Sequence, residues 1–151
     1  MDKKLEAKLV STFPTQFCEY DGDKSQTCMA WGCECGGGWF SLLWALCIQI
    51  EGYYKSLEFM GKELPPPVVF TQIKEKFGTL NVYFSGGDST VRDYVNFAET
   101  MSMLVCEQCG STNEVHQRKQ GWISFACLKC VEKSGEDMGN WEPVIKEKAS
   151  S

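Results

Sequence analysis

The sequence contains a single histidine, His116, and none of the common phosphate-binding or nucleophile motifs. There is no P-loop and no dinucleotide fingerprint. We also find no nucleophile paired with a base, and no carboxylate pair in a recognisable setting. His116 therefore has no partner in the sequence for a role as catalytic base or ligand. We interpret the chain as non-enzymatic.

Long apolar runs are missing as well. The stretch from Trp39 to Ile50 is interrupted by Ser41 and Gln49, and it falls short of the ~20 residues that a membrane helix requires. Residues 1–8 lack the apolar segment of a secretory signal, and the cysteine count of nine is odd. We expect a soluble cytoplasmic protein with no membrane partner and with reduced thiols.

Two CxxC pairs dominate the C-terminal third: Cys106 with Cys109, and Cys127 with Cys130. Each pair presents two sulfurs from one tight turn, and four soft donors are what a tetrahedral Zn²⁺ takes in a structural site. Redox pairs, disulfides or an iron centre are the alternatives. A thioredoxin-like context would not explain a second pair at this spacing. The pattern predicts a zinc ribbon holding one structural Zn²⁺.

Charge argues against nucleic acid as the main partner. The formal net charge is -5. In the ribbon, the positive charges of Arg118, Lys119 and Lys129 outnumber the negative charges of Glu107 and Glu114 by one. A divalent metal ion and its four thiolate ligands together add two negative charges. Non-specific phosphate binding depends on clustered cations. A local basic patch remains as an alternative.

The apolar pattern predicts an α+β fold with two main helices packed on a small β-hairpin sheet. A main helix starts at Trp39. A second helix is capped at its N-terminus by Asp88 or Ser89 and runs to Cys106. Strands 68–73 and 80–84 flank a turn that contains Gly78. We place an α+β core at 1–104, with a short helix at 2–10 and a loop-rich part through 38. The ribbon is placed at 105–132, and a polar tail, partly disordered and frayed from Lys146, at 133–151.

Four further cysteines lie in the loop-rich segment, at Cys18, Cys28, Cys33 and Cys35. Their irregular spacing does not form two matched knuckles, so we favour buried free thiols over a second metal site. The run that follows suggests a ligand loop, because glycines before a helix can expose backbone N–H groups to an anion. Close chain packing is the favoured interpretation of these glycines. The loop comprises Glu34, Gly36, Gly37, Gly38 and Trp39.

Two turns are candidate contact surfaces for a partner. In the ribbon, Arg118 and Lys119 lie beside Trp122, a combination that suits an anionic partner or single-stranded nucleic acid. In the hairpin, Lys74 and Lys76 precede Phe77. We expect the Phe77 ring to fold back on the core, because an isolated exposed phenylalanine is less common than a buried one.

Three segments together resemble a family of small phage and prophage proteins of unknown function. They are Gly32-Cys-Glu-Cys-Gly-Gly-Gly-Trp-Phe40, Ile73-Lys-Glu-Lys-Phe-Gly-Thr-Leu80 with Tyr83, and Cys106-Glu-Gln-Cys-Gly110. The family often has an acidic residue where Gly37 stands, and fewer upstream cysteines. The resemblance covers residues 27–130. It implies a bacterial host cytoplasm and supplies no reaction.

Three function classes follow. The favoured class is a zinc-stabilised binding or regulatory protein, phage-encoded, that acts on a host, defence or phage protein. A nucleic-acid-associated ribbon is the first alternative. A small-ligand binder or enzyme that uses the Cys33–Trp39 loop is the second.

Overall fold

The computed structural model describes residues 1–146 and has an α+β fold with two small sheets. The helices are α1 (Lys3–Thr12), α2 (Phe40–Phe59), α3 (Ser89–Ser102) and α4 (Leu128–Ser134). The strands are β1 (Cys33–Glu34), β2 (Val69–Lys76), β3 (Thr79–Ser85), β4 (Val115–Arg118), β5 (Phe125–Cys127) and β6 (Trp141–Pro143). None of the helices in this part of the chain has the length and apolarity of a membrane span.

The main core lies between the two long helices and the first sheet, whose order is β1-β2-β3. Helix α2 supplies the periodic apolar face that the sequence predicts, and Asp88 caps α3 through its carboxylate. The predicted two-helix-on-hairpin arrangement is confirmed. The fully buried apolar residues include Leu43, Ile50, Phe70, Ile73, Leu80, Val91 and Val95.

The hairpin is confirmed, but its strands run further and its turn is shorter than predicted. Only Phe77 and Gly78 separate β2 from β3, with φ of 52° and 80°. Positive φ at both central residues is the two-residue turn that matches strand twist. Phe77 therefore lies beyond the last strand pair, Lys76 with Thr79. The expectation that Phe77 is buried is wrong, because its side chain is 62% exposed.

The second sheet has the order β5-β4-β6 and continues past residue 132, where we placed the end of the ribbon. Strand β6 pairs antiparallel with β4, and Arg118 is opposite Trp141. Trp141 is buried in a small cluster with Cys106, Cys127 and Val131. Strand β6, in the predicted tail, is therefore packed against the second sheet. The predicted fraying from Lys146 onward falls almost entirely outside the described residues.

A buried carboxylate ties the N-terminal segment to the first sheet. Glu6, on α1, is 1% exposed. Its two oxygens accept hydrogen bonds from the backbone N–H of Cys33 at 2.9 Å, the Tyr20 hydroxyl at 3.0 Å and Lys3 Nζ at 2.8 Å. Because Cys33 belongs to β1, which pairs parallel with β2, this carboxylate positions the loop-rich segment on the sheet edge.

We expect Glu6→Ala to destabilise the fold by about 1–3 kcal/mol, since it leaves the buried N–H of Cys33 without an acceptor. Lys3→Ala is the matched control, because it removes the exposed end of the same ion pair. Denaturant unfolding of both variants checks this. Equal midpoints for the two would contradict a structural role for the buried carboxylate.

Candidate metal centre

The four predicted ligands converge in space. The sulfurs of Cys106, Cys109, Cys127 and Cys130 lie within 4.8 Å of one another, and those of Cys109 and Cys127 are 3.6 Å apart. Thiolates about 2.3 Å from a central zinc ion would lie about 3.8 Å from each other. The four cysteines are therefore positioned to hold a metal ion.

Each pair sits on a turn that the sequence specifies locally. In the first turn, the N–H of Gly110 donates to the carbonyl of Cys106 at 2.8 Å, and Gly110 has a φ of 77°. Cys127 ends β5 and precedes α4, so Cys130 lies in the first turn of that helix. The end of β5, the start of α4 and the turn that follows α3 thus meet at the four sulfurs.

Local hydrogen bonds favour an ionised sulfur at the exposed corner. The backbone N–H of Ser111 lowers the pKa of the Cys109 thiol. Burial has the opposite effect on Cys127 and raises the pKa of its thiol. A metal ion offsets such a cost, because it binds the thiolate form and releases the proton.

The glycine-rich loop, residues 36–38, packs against the first CxxC turn, residues 106–110. The N–H of Gly38 donates to the carbonyl of Glu107 at 2.8 Å, and the N–H of Gly36 donates to the Glu107 carboxylate at 2.8 Å. Trp39 is buried, and its indole Nε1 donates to the carbonyl of Val105 at 3.1 Å. Two backbone N–H groups of the candidate ligand loop, those of Gly36 and Gly38, are thus paired within the protein, and the acceptor of the Gly36 N–H is the Glu107 carboxylate. Glu107 is partly buried, and this burial raises the pKa of its carboxyl group.

The four upstream cysteines do not form a second cluster. Among the described residues, the only group of three or more Cys, His, Asp or Glu side chains placed to hold a metal is the one above. Cys33 and Cys35 are buried as expected, whereas Cys18 and Cys28 are exposed, so burial was wrongly predicted for those two. Burial raises the pKa of the Cys35 thiol to about 12 and that of Cys33 further. Both core thiols are therefore protonated near neutral pH.

The predicted contact residues fall into two groups. Arg118 is committed within the protein: it forms an ion pair with Glu136, and its guanidinium lies 5.1 Å from the centre of the Trp141 ring. Lys119 and Trp122 are exposed. His116 places Nδ1 2.8 Å from the carbonyl oxygen of Glu114, and it does not belong to the group of side chains placed to hold a metal.

The hairpin residues lie close to the ribbon. Lys76 Nζ is 5.6 Å from the centre of the Phe77 ring, and Lys74 Nζ is 5.7 Å from that of Tyr83. Glu34 is exposed on β1, opposite Lys74. A Cβ on Gly78 would lie 2.9 Å from the Phe125 ring and 3.0 Å from the carbonyl oxygen of Ile123. The tip of the hairpin is therefore pressed against the second sheet.

Sequence reasoning missed Glu6, Glu107 and Glu136, the carboxylates that join these segments. Glu107 lies inside the first CxxC pair and Glu136 in the predicted tail, so neither carries a recognisable spacing signal.

Comparison with protein families, with curated proteins and with solved structures finds no match for this chain.

We expect the purified chain to hold one metal ion, and Cys127→Ser to lose it and unfold the second sheet. Structural zinc sites contribute on the order of 10–16 kcal/mol near neutral pH, comparable with the stability of a whole domain. Cys18→Ser, outside the cluster, is the control and should retain the ion. Elemental analysis and thermal melts measure both effects. Metal-free protein from a chelator-free preparation would contradict the centre.

We further expect Gly38→Ala to destabilise the protein by about 1–3 kcal/mol or more. A Cβ there would lie 2.5 Å from the carbonyl oxygen of Glu107 and the nitrogen of Gly110, and closer still to the carbonyl oxygen of Cys106. The control is Gly52→Ala, on α2, where a Cβ meets nothing within 4 Å. That change should stabilise the helix by roughly 0.5–1 kcal/mol. If both variants melted together, the close approach would not matter.

Proposed function

We propose that this chain is a non-enzymatic binding protein that acts on another protein, with one structural zinc supporting the binding surface. The observation that carries this proposal is the junction surface, which we define as Phe77, Trp122 and Ile123. All three are exposed although they come from two segments that are pressed together at Gly78.

Zinc is the metal that the donor set favours. Four cysteine thiolates are the ligands of closed structural zinc sites, and they leave no position open for water or substrate. The ion would therefore hold the ribbon in shape and take no part in chemistry. Its position next to β5 links it to the junction surface, because Phe125 of β5 contacts the hairpin tip.

The composition of the junction surface suits a protein partner. Phe77 is 62% exposed and Trp122 is 64% exposed. Aromatic side chains are enriched among the residues that dominate binding energy at protein interfaces. Lys76, beside Phe77, adds a cation at the edge. An acidic or amphipathic partner surface is complementary to this arrangement.

The resemblance to small phage proteins supplies the setting of the proposal. We infer that the chain works in the bacterial cytoplasm and that its partner is a host, defence or phage protein. Such a role requires recognition without turnover.

Nucleic acid is the less supported alternative. Lys119 and Trp122 remain exposed, but the Arg118 guanidinium is paired with Glu136. A phosphate-driven complex also weakens steeply with salt. Submicromolar binding in a gel-shift titration at physiological salt, lost in Arg118→Ala with Lys119→Ala, would reverse the order of the two proposals.

We expect Phe77→Ala and Trp122→Ala each to weaken partner binding by about 30-fold, the ~2 kcal/mol of an interface anchor, while leaving the melting temperature unchanged. The matched control is Phe59→Ala at the end of α2, where the ring is 94% exposed. The immobilised full chain is exposed to lysates of infected and uninfected bacteria, and captured proteins are identified by mass spectrometry. The partner should bind the wild type and Phe59→Ala alike.

Two outcomes count against the proposal. One is a captured protein that all three variants retain equally, which would move the binding site away from the junction surface. The other is a large drop in melting temperature for Phe77→Ala, which would give the ring a structural role.

A further inference from the structure

The outward face of helix α2 carries two large apolar side chains that the described part of the chain leaves uncovered. Ile48 is 52% exposed and Phe59 is 94% exposed. Both belong to a row of residues that repeats at alternating intervals of four and three along the helix, which is the spacing of a helix–helix seam. We call this row the α2 seam. Its members are all exposed, and they are Ser41, Ala45, Ile48, Gly52, Lys55 and Phe59.

The α2 seam is poor in charge for a helix face that meets water. Such faces normally carry charged and polar side chains. On the seam only Lys55 is charged. Exposed apolar surface of this kind marks an interaction site more often than a solvated face. The composition of the seam is therefore that of a surface that packs against another element.

Gly52 lies in the middle of the seam and has no packing role within the chain. A Cβ at this position would meet nothing within 4 Å. Glycine in the interior of a helix is less stable than alanine, and its common use is to let another backbone approach closely. No backbone of this chain makes that approach at Gly52. The approach is therefore open to a second molecule.

Gly52 is also the midpoint between Ala45 and Phe59. Each of these residues is seven positions away, which is two helical turns and about 10.5 Å along the helix axis. A second, antiparallel copy of α2 that crosses at Gly52 therefore places each Phe59 opposite the Ala45 of the other copy. A large side chain then meets a small one at both ends, and a two-fold axis makes the two contacts identical, as in most homodimers.

Ala45 also lines a pocket that suits the Phe59 ring. The pocket lies between α2 and α3 and measures about 310 Å³. Its lining is uncharged and consists of Leu42, Ala45, Leu46, Gln49, Tyr94, Phe97 and Ala98. Phe97 is 67% exposed and adds apolar surface beside the pocket. A crossing that tilts the C-terminal end of each α2 toward the other copy's α3 seats Phe59 there.

The charges beside the seam are complementary in the same register. Lys55 lies three positions after Gly52, and Glu51 lies one position before it. In the antiparallel pair, Lys55 of one copy and Glu51 of the other fall on the same side of the axis and about 3 Å apart along it, within reach of their side chains. Among the described residues, neither side chain takes part in an ion pair within the chain. Both are therefore available to a second copy.

We propose that the α2 seam binds a second copy of this chain. The two copies form an antiparallel, two-fold symmetric dimer with its axis at Gly52, and each Phe59 occupies the pocket beside Ala45 of the other copy. The proposal does not rest on the protein-binding role of the junction surface, since the seam and that surface share no residue.

The test is the mass of the metal-loaded full chain in solution, measured by light scattering and sedimentation in a reducing buffer that prevents disulfide-linked dimers. The wild type should have twice the chain mass of 17.0 kDa at about 100 μM, where an interface with a micromolar Kd is saturated. Gly52→Leu and Phe59→Ala should each raise the dimer Kd at least about 100-fold, because the two-fold axis places every change in the interface twice. Phe77→Ala, which also removes an exposed ring, is the matched control and should leave the Kd unchanged.

A photo-crosslinker at position 59 tests the register of the two helices. With p-benzoylphenylalanine in place of Phe59, crosslinks should form to residues 42–49 or 94–98 of the other copy. Mass spectrometry of a mixture of isotope-labelled and unlabelled chains distinguishes these crosslinks from those within one chain.

Three results would overturn the proposal. The first is a monomer at the same concentration, which would leave the seam to a different protein. The second is a dimer that Phe77→Ala disrupts and Phe59→Ala retains, which would place the interface on the junction surface. The third is crosslinking from position 59 to other segments of the second copy. Circular dichroism shows whether Gly52→Leu folds, and Phe59→Ala decides the question if it does not, because its ring is exposed.

Discussion

Residues 36–38 and 106–110 meet backbone to backbone, and the rest of the structure depends on this approach. The carbonyls of Cys106 and Glu107 point at the place where any side chain on Gly38 would begin. The Gly38 N–H donates to one of these carbonyls, and the Glu107 side chain returns a hydrogen bond to Gly36. The first CxxC turn, residues 106–110, therefore packs directly against the core and is not an appendage joined by a linker.

This contact couples the metal centre to both hydrophobic cores. Cys106 belongs to the small cluster with Trp141, while Trp39, which follows Gly38, lies in the main core. A metal ion bound by the four sulfurs would hold the first CxxC turn and, through it, the docking of residues 106–110 on the glycine loop. Structural zinc sites contribute about as much free energy as a domain's whole stability, so an ion of that kind would couple metal binding to folding.

Much of the fold follows from local pattern, and the site follows from spacing. The α2 face, the capped α3, the hairpin at Gly78 and the convergence of the four cysteine sulfurs all rest on signals within a few residues, which is why these predictions are confirmed. Phe77 was misplaced for a local reason too. A two-residue turn places it outside the sheet, whereas the expectation of burial rested on the general rarity of isolated exposed phenylalanines.

What the sequence did not indicate is the set of long-range carboxylate contacts. Glu6 is a charged helix residue of the kind that usually faces solvent, yet its carboxylate accepts a hydrogen bond from the N–H of Cys33, 27 positions away. Arg118 and Glu136 are likewise remote in sequence. Because they form an ion pair, the Arg118 guanidinium, a candidate phosphate contact, is engaged within the protein. Such pairs are determined by how elements pack, and no periodicity or motif spacing encodes them.

The ribbon carries one exposed and one buried tryptophan on different elements, with Trp122 in the connection between β4 and β5 and Trp141 on β6. Trp122 is exposed, whereas Trp141 is buried beside the sulfurs with an unpaired N–H. Burying a tryptophan contributes apolar area but requires an acceptor for its nitrogen, and a small metal-stabilised sheet has few backbone acceptors to spare. Trp141 packs in one cluster with Cys106, Cys127 and Val131, so the placement of the four sulfurs and the burial of this ring depend on the same packing.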